Sequence, residues 1–355
     1  MKLNTHKLLT LLLLISITLL TSCQKPEAQE EGKETIHKEG TELPVTKLAN
    51  MKSGAEFYFS PDGKSMIGNA KYDGDSSHQV YTINIDGTDL KKINKVFEII
   101  NEAGEKISKS GETACSYYYP DGKKLIWTST QDHLNLPKGN FSDPRDYPTG
   151  AELYSSDLDG GNVVRLTNNK YYDAEVSVSP NGKKILFTRS IDGKCDLWIM
   201  NVDGTNEHQI TFTEEWQEGG SFYLKDDVII YRAWERKSEG QRGMPMTIFT
   251  IKDDGTDLKQ ITHDDGTNWA PHPAHDGDHF VFIKVLPPMN FEIYLMSIKT
   301  GKQTRLTYNE AFDGFPVFSP DGKTLAFSSN RDEEKGVRNL APYFMDISSL
   351  GIGSN

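Results

Sequence analysis

Cysteine is scarce in this chain: three in 355 residues, at positions 23, 115 and 195. So few cannot build the disulfide framework of a small secreted fold. Cys115 and Cys195 also fall at different strand positions in different repeats, which argues against a bond between them. Positive charge is short as well, with 39 Lys and Arg against 51 Asp and Glu and a net charge of -12. That balance excludes a broad phosphate-binding surface, so nucleic acid is not an expected partner. There is no Gly-x-Ser-x-Gly nucleophile elbow and no glycine loop of the kind that cradles phosphate, which removes two large enzyme classes. The apolar run at residues 8–20 is too short to span a bilayer.

What is present begins with Lys2, His6 and Lys7 ahead of that apolar run, the layout of a secretory signal. The run ends in Leu20-Thr21-Ser22-Cys23, which resembles the lipobox of bacterial lipoproteins. The resemblance implies cleavage before Cys23 and lipid attachment to its thiol, leaving an otherwise soluble protein anchored at a membrane. Residues 1–22 are therefore read as a lipoprotein signal peptide. Residues 23–42 are polar, rich in Glu and Lys and without apolar period, and read as a flexible tether.

From there on, one unit repeats. Its cleanest copy is residues 171–212, in which four short β-branched or aromatic runs are separated by turn chemistry. The first turn, Ser179-Pro180-Asn181-Gly182-Lys183, has relatives at residues 60–64, 119–123, 224–227, 274–277 and 319–323, spaced 45 to 60 residues apart. Pro presets φ at the second turn position, and Asn-Gly or Asp-Gly accepts the positive φ of a tight hairpin. Asp-Gly-Thr follows the third strand. A basic or amide residue, then Leu or Ile, then usually Thr marks the fourth, as in Arg165-Leu166-Thr167 and Arg305-Leu306-Thr307. Four strands at this period make a propeller blade. Six copies predict an all-β, six-bladed propeller of four-stranded antiparallel blades over residues 43–347, with residues 348–355 as a C-terminal tail. The sixth copy lacks a fourth strand, and Val45-Thr46-Lys47-Leu48 is expected to supply it and close the ring.

These Ser-Pro-Asp-Gly-Lys, Asp-Gly-Thr and Arg-Leu-Thr units resemble the TolB-type six-bladed β-propeller. The resemblance implies a periplasmic or envelope protein that binds a partner. It carries less about chemistry, since a fold hosts many functions.

With strands labelled A to D from the axis outwards, every tight turn above is A–B or C–D. Every insertion is B–C or D–A: residues 94–111, 130–150, 235–244, 286–289 and 330–340. Long loops on a rigid scaffold usually carry function, which points to the B–C/D–A face. Aligning the A strands predicts three layers near the channel mouth: Gly54, Thr113, Asp173, Glu218, Asn268 and Asp313; then Ala55, Ala114, Ala174, Gly219, Trp269 and Gly314; then Glu56, Cys115, Glu175, Gly220, Ala270 and Phe315. Glu56, Asp173, Glu175, Glu218 and Asp313 are expected to form an acidic mouth, with Trp269 as an apolar wall. No Lys or Arg lies in the three layers, so a cation or a basic group of a partner is the expected counter-charge. Calcium is the candidate ion, and Asp173, Glu175 and Asp313 its candidate ligands. The alternative expectation is that these carboxylates cap neighbouring backbone amides.

His272, His275 and His279 fall in strand A, a turn and strand B, without the spacing of a metal site. Asp73-Gly74-Asp75-Ser76 lacks the closing Glu of a calcium loop and reads as a turn. Trp127, Trp198 and Trp234 are expected in the core, and Trp216 and Trp269 near the mouth. The favoured function is a non-enzymatic, monomeric envelope lipoprotein that binds an envelope protein or glycan. The alternative is a polysaccharide-processing, lyase-like propeller with a metal in its channel.

Overall fold

The computed structural model describes residues 40–75, 77–94, 97–100, 106–109, 111–225 and 227–352. The signal sequence, most of the tether and Cys23 lie outside the described residues.

Among them, six four-stranded antiparallel sheets form the six blades of a propeller. The blade at residues 171–212 has strands A Tyr172–Val178, B Lys184–Ile191, C Lys194–Asn201 and D His208–Gln209. Numbered in chain order it is blade 3. Its first turn folds as its composition requires. Ser179 Oγ donates to Asn181 Oδ1 and accepts from the amides of Lys183 and Lys184, while Gly182 sits at φ 69°. Ser60–Asp62 and Ser319–Asp321 repeat that pattern in blades 1 and 6.

The fourth-strand tag is a pairing device. In blade 2 the Leu166 amide donates to the Leu153 carbonyl, and the Leu153 amide donates to Thr167 Oγ1. The same exchange joins Ile210 and Thr211 to Leu197, and Leu306 and Thr307 to Ile293. A Thr hydroxyl thus ends a ladder that backbone alone would leave open. The Asp-Gly-Thr glycines touch the neighbouring blade: a Cβ on Gly87 would lie 2.4 Å from the Ala49 carbonyl oxygen, and one on Gly204 3.1 Å from that of Leu166.

Closure follows the expectation. Val45–Lys47 pairs antiparallel with Ala341–Asp346, putting Val45 opposite Met345 and Lys47 opposite Tyr343. Leu48 and Met51 behind it are buried. The core is a set of inter-blade seams, each built from facing sheet sides, such as Leu186, Leu197 and Ile199 against Tyr223, Ile229 and Tyr231. Cys115 and Cys195 are both free. The insertion at 94–111 carries a hairpin of its own, Phe97–Ile100 with Lys106–Lys109.

Candidate functional site

Every A strand carries a β-bulge at the same height. Pairing with strand B shifts register between Ala55 and Tyr58, Ala114 and Tyr117, Ala174 and Ser177, Gly219 and Phe222, Trp269 and His272, and Gly314 and Val317. At each bulge one residue takes the left-handed conformation: Glu56, Cys115, Glu175, Gly220, Ala270 and Phe315, all with φ between 50° and 57°. These six are the third predicted layer. Five are not glycine, so each pays a steric cost on the order of 1–2 kcal/mol for this geometry. The bulge turns their side chains to the axis, and all six line one pocket.

That pocket has a volume of about 190 Å³. Its floor is an aromatic plug. Tyr58, Tyr117, Phe222 and His272 lie ring to ring, at centroid separations of 5.0 to 6.1 Å. His272 is pushed down to about 3 by burial, reinforced by His275, so it is neutral. The plug separates the pocket from a funnel of about 530 Å³ at the A–B turn face, rimmed by Pro61, Pro120, Pro180 and Pro320. Phe141, Pro144 and Tyr147, from the 130–150 insertion, cover the pocket's other side. Tyr147 is anchored by stacking on Tyr172, with centroids 4.1 Å apart. The pocket therefore lies at the face that carries the insertions.

Its electrostatics centre on three groups. Arg232, from strand B of blade 4 (Val228–Glu235), donates from Nη2 to Glu175 Oε1 at 2.6 Å. It reaches the axis because Gly220 leaves room: a Cβ there would lie 1.9 Å from Arg232 Nη1. Glu175 also accepts from Thr188 Oγ1 and the Gly220 amide. Glu56 accepts from Asn69 Nδ2 at 3.0 Å. Burial first, and the Glu175 charge second, push the Glu56 carboxyl up to about 7.

The predicted acidic mouth is corrected by this geometry. Glu56, Glu175 and Trp269 meet in the pocket; Asp173, Glu218 and Asp313 do not line it. Those three belong to the first layer, where strand A is stitched to the preceding blade. The amides of Gly54, Thr113, Asp173 and Asn268 donate to the carbonyls of Leu340, His78, Ala151 and Met246, each just before a strand C. A backbone turned toward the neighbouring blade sends its side chain into the sheet interior. Asp173 there makes a two-pronged pair with Arg189, at 2.6 and 2.8 Å, and accepts from Asn169. Asp313 pairs with Arg331 at 2.9 Å and accepts from Asn309. Glu218 takes the hydroxyls of Thr213 and Thr211, and burial pushes it up to about 8. The partners of all three are side chains, so the expected capping of backbone amides does not describe them.

The counter-charges that the A strands lack come from strand B and the segment that follows it. An Arg inside the apolar strand Val-Ile-Ile-Tyr-Arg-Ala-Trp, and a Gly in the bulge column facing it, were the signals that would have found Arg232. Each candidate calcium ligand already holds an arginine. Among the described residues no three His, Cys, Asp or Glu side chains gather into a metal-binding group. The residues present therefore do not fit a channel metal. His133 is held at the Glu152–Arg165 pair instead. Trp127 and Trp234 are buried as expected, Trp234 also lines the pocket, and Trp216 packs on Phe249 away from it.

No family model matches the chain. A TolB homologue from Chlorobium luteolum is 25% identical over 159 residues, which is 43% of this chain and 33% of that protein. The chain spans about half the length, or less, of the curated relatives it matches. Among solved structures, oligogalacturonate lyase from Vibrio parahaemolyticus superposes with a TM-score of 0.57 at 14% identity, covering 87% of this chain and 95% of that one. TolB from Acinetobacter baumannii gives 0.55 at 16% identity, covering 88% and 66%. At such identities the likeness establishes the fold.

Proposed function

Taking the chain as a TolB-like six-bladed β-propeller, we propose that it is a non-enzymatic binding scaffold of the bacterial cell envelope. It engages its partner, an envelope protein or glycan, through the B–C/D–A face, and part of that partner enters the pocket above the plug. One observation carries this reading: the axial pocket lies among the insertions, and Phe141, Ser142, Pro144 and Tyr147 help to line it. Rigid blades with loops gathered at one end of a channel suit recognition. Attachment through a lipid on Cys23 belongs to the same proposal and would hold the scaffold, as a monomer, at a membrane.

The lyase alternative has support only from the shared fold. A pocket of about 190 Å³ is small beside the roughly 300–1,000 Å³ of sites for drug-sized ligands, and an oligosaccharide needs more.

The test is capture from envelope extracts by the full chain, after crosslinking, with Trp269→Ala at the pocket and Lys225→Glu at the opposite funnel. Loss of capture with the first variant alone supports the reading. Loss with Lys225→Glu alone would move the working face to the A–B turns. Cys23→Ser tests the anchor, and unchanged membrane fractionation would remove it.

A further inference from the structure

We propose that the axial pocket is an alkylammonium site, with Glu56 as counter-charge and the Trp269–Phe315 corner as the bed for the carbon stem. This rests on the loop-face reading above and adds the chemistry of what enters.

The argument begins with a charge count. Two carboxylates and one guanidinium line the pocket. Arg232 is spent on Glu175, which is further held by Thr188 and the Gly220 amide. Glu56 is left with two neutral donors, the Asn69 side chain and the Cys115 amide, and among the described residues no basic side chain pairs with it. The cavity therefore holds one uncompensated negative charge when Glu56 is ionised. Every other group facing Glu56 is accounted for. Glu175 and Arg232 offset each other, while Cys115 and Tyr58 are both raised by burial and stay neutral. An anion would meet Glu56 with no free cation to receive it.

The rest of the lining suits the methylenes next to an ammonium. Trp269 and Phe315 meet edge to face at 5.1 Å, and Phe141, Met244 and Met246 are also exposed to the cavity. An ammonium near Trp and Phe rings gains cation–π attraction as well as its ion pair. The volume suits one side-chain-sized group. A lysine side chain of a protein partner and a free polyamine share this chemistry.

The experiment titrates the full chain with n-butylammonium and with n-butanol at pH 8, followed by tryptophan fluorescence, since Trp234 and Trp269 both line the pocket. The ammonium is expected to bind on the order of tenfold or more tighter than the alcohol. Glu56→Gln should erase that preference and Glu56→Asp should keep part of it. Acid should act likewise. With Glu56 near 7, its ionised fraction falls roughly thirtyfold between pH 8 and pH 5.5, and ammonium affinity should fall with it. This arm needs no variant, so it stands even if Glu56→Gln fails to fold. Nα-acetyl-lysine methylamide and spermidine, run in parallel, separate a side-chain source from a free one. Equal binding of alcohol and ammonium, or affinity unmoved by both pH and Glu56→Gln, overturns the proposal. If Trp269→Ala still abolishes partner capture in that case, the loop-face reading survives alone. If it does not, both fall.

Discussion

Asp173 and Glu175 stand two residues apart in one strand and have opposite fates. Asp173 is sealed inside the blade against Arg189, with no solvent exposure. Glu175 faces the channel and holds an arginine that has crossed from the next blade. The cause is backbone geometry. At Asp173 the strand is in register with strand B and stitched to blade 2; at Glu175 the bulge has flipped the chain into the left-handed region. The same division holds for Asp313 and Phe315, and for Glu218 and Gly220. In this propeller the first layer is mortar and the third is surface, whatever residue type occupies either.

The largest effect that would sharpen this division comes from the closing strand. Arg331, the partner of Asp313, also holds Glu42 just before Val45–Lys47. Deleting residues 42–50 strips blade 6 of its outer strand and removes one of that arginine's two carboxylate partners. Chemical denaturation should show a loss of several kcal/mol, a large share of the ~5–15 kcal/mol of an ordinary domain. Next comes Arg189→Ala, which leaves Asp173 buried and unpaired. The expected cost is about 3–5 kcal/mol. A cost under about 1 kcal/mol would mean that Asp173 is solvated after all, and the two layers would no longer differ. Smaller again is Gly220→Ala. The backbone is left-handed there, which costs Ala about 1 kcal/mol, and the new Cβ must push Arg232 off its place. A melt should fall by the equivalent of about 2–3 kcal/mol, and ligand binding at the pocket should weaken with it.

How legible was this in the sequence? The blades were, because each rests on local chemistry: Ser-Pro-Asp-Gly turns, Asp-Gly-Thr turns and the terminal Thr that completes the C–D ladder. Closure by Val45–Lys47 was legible from a missing strand. The alignment of A strands also found the six bulge residues as a set. Strand alternation alone did not show which layer faced the channel, since a bulge reverses facing without leaving a sequence mark beyond an occasional Gly. Nor could strand A reveal its counter-charges. Arg189 and Arg232 come from neighbouring strands and Arg331 from just beyond one, and only pairing register brings each opposite its carboxylate. The acidic mouth drew on the right strands but assigned the wrong facing to three of its five carboxylates.

The smallest effect isolates Glu56, the carboxyl of the third layer that no arginine balances. Its carboxyl is raised by burial from an ordinary 4.5 to about 7. The folded state therefore holds a proton that the unfolded state has released across that window. By linkage, the contribution is fully present below about pH 4.5 and is lost as pH rises through 7. Wild type should lose stability on going from pH 5 to pH 8 in proportion. Glu56→Gln keeps the shape and the Asn69 contact but cannot ionise. At pH 8 it should be more stable than wild type by about 1–3 kcal/mol, the range that a shift of this size allows once water in the channel screens part of it. Below about pH 4.5 the two proteins should unfold together. Glu218, raised for the same reason, is present in both and cancels in the difference. Parallel stability curves for the two proteins across pH 5 to 8 would show that Glu56 is as well satisfied as Asp173. The contrast between the two layers would then be one of position without a difference in charge.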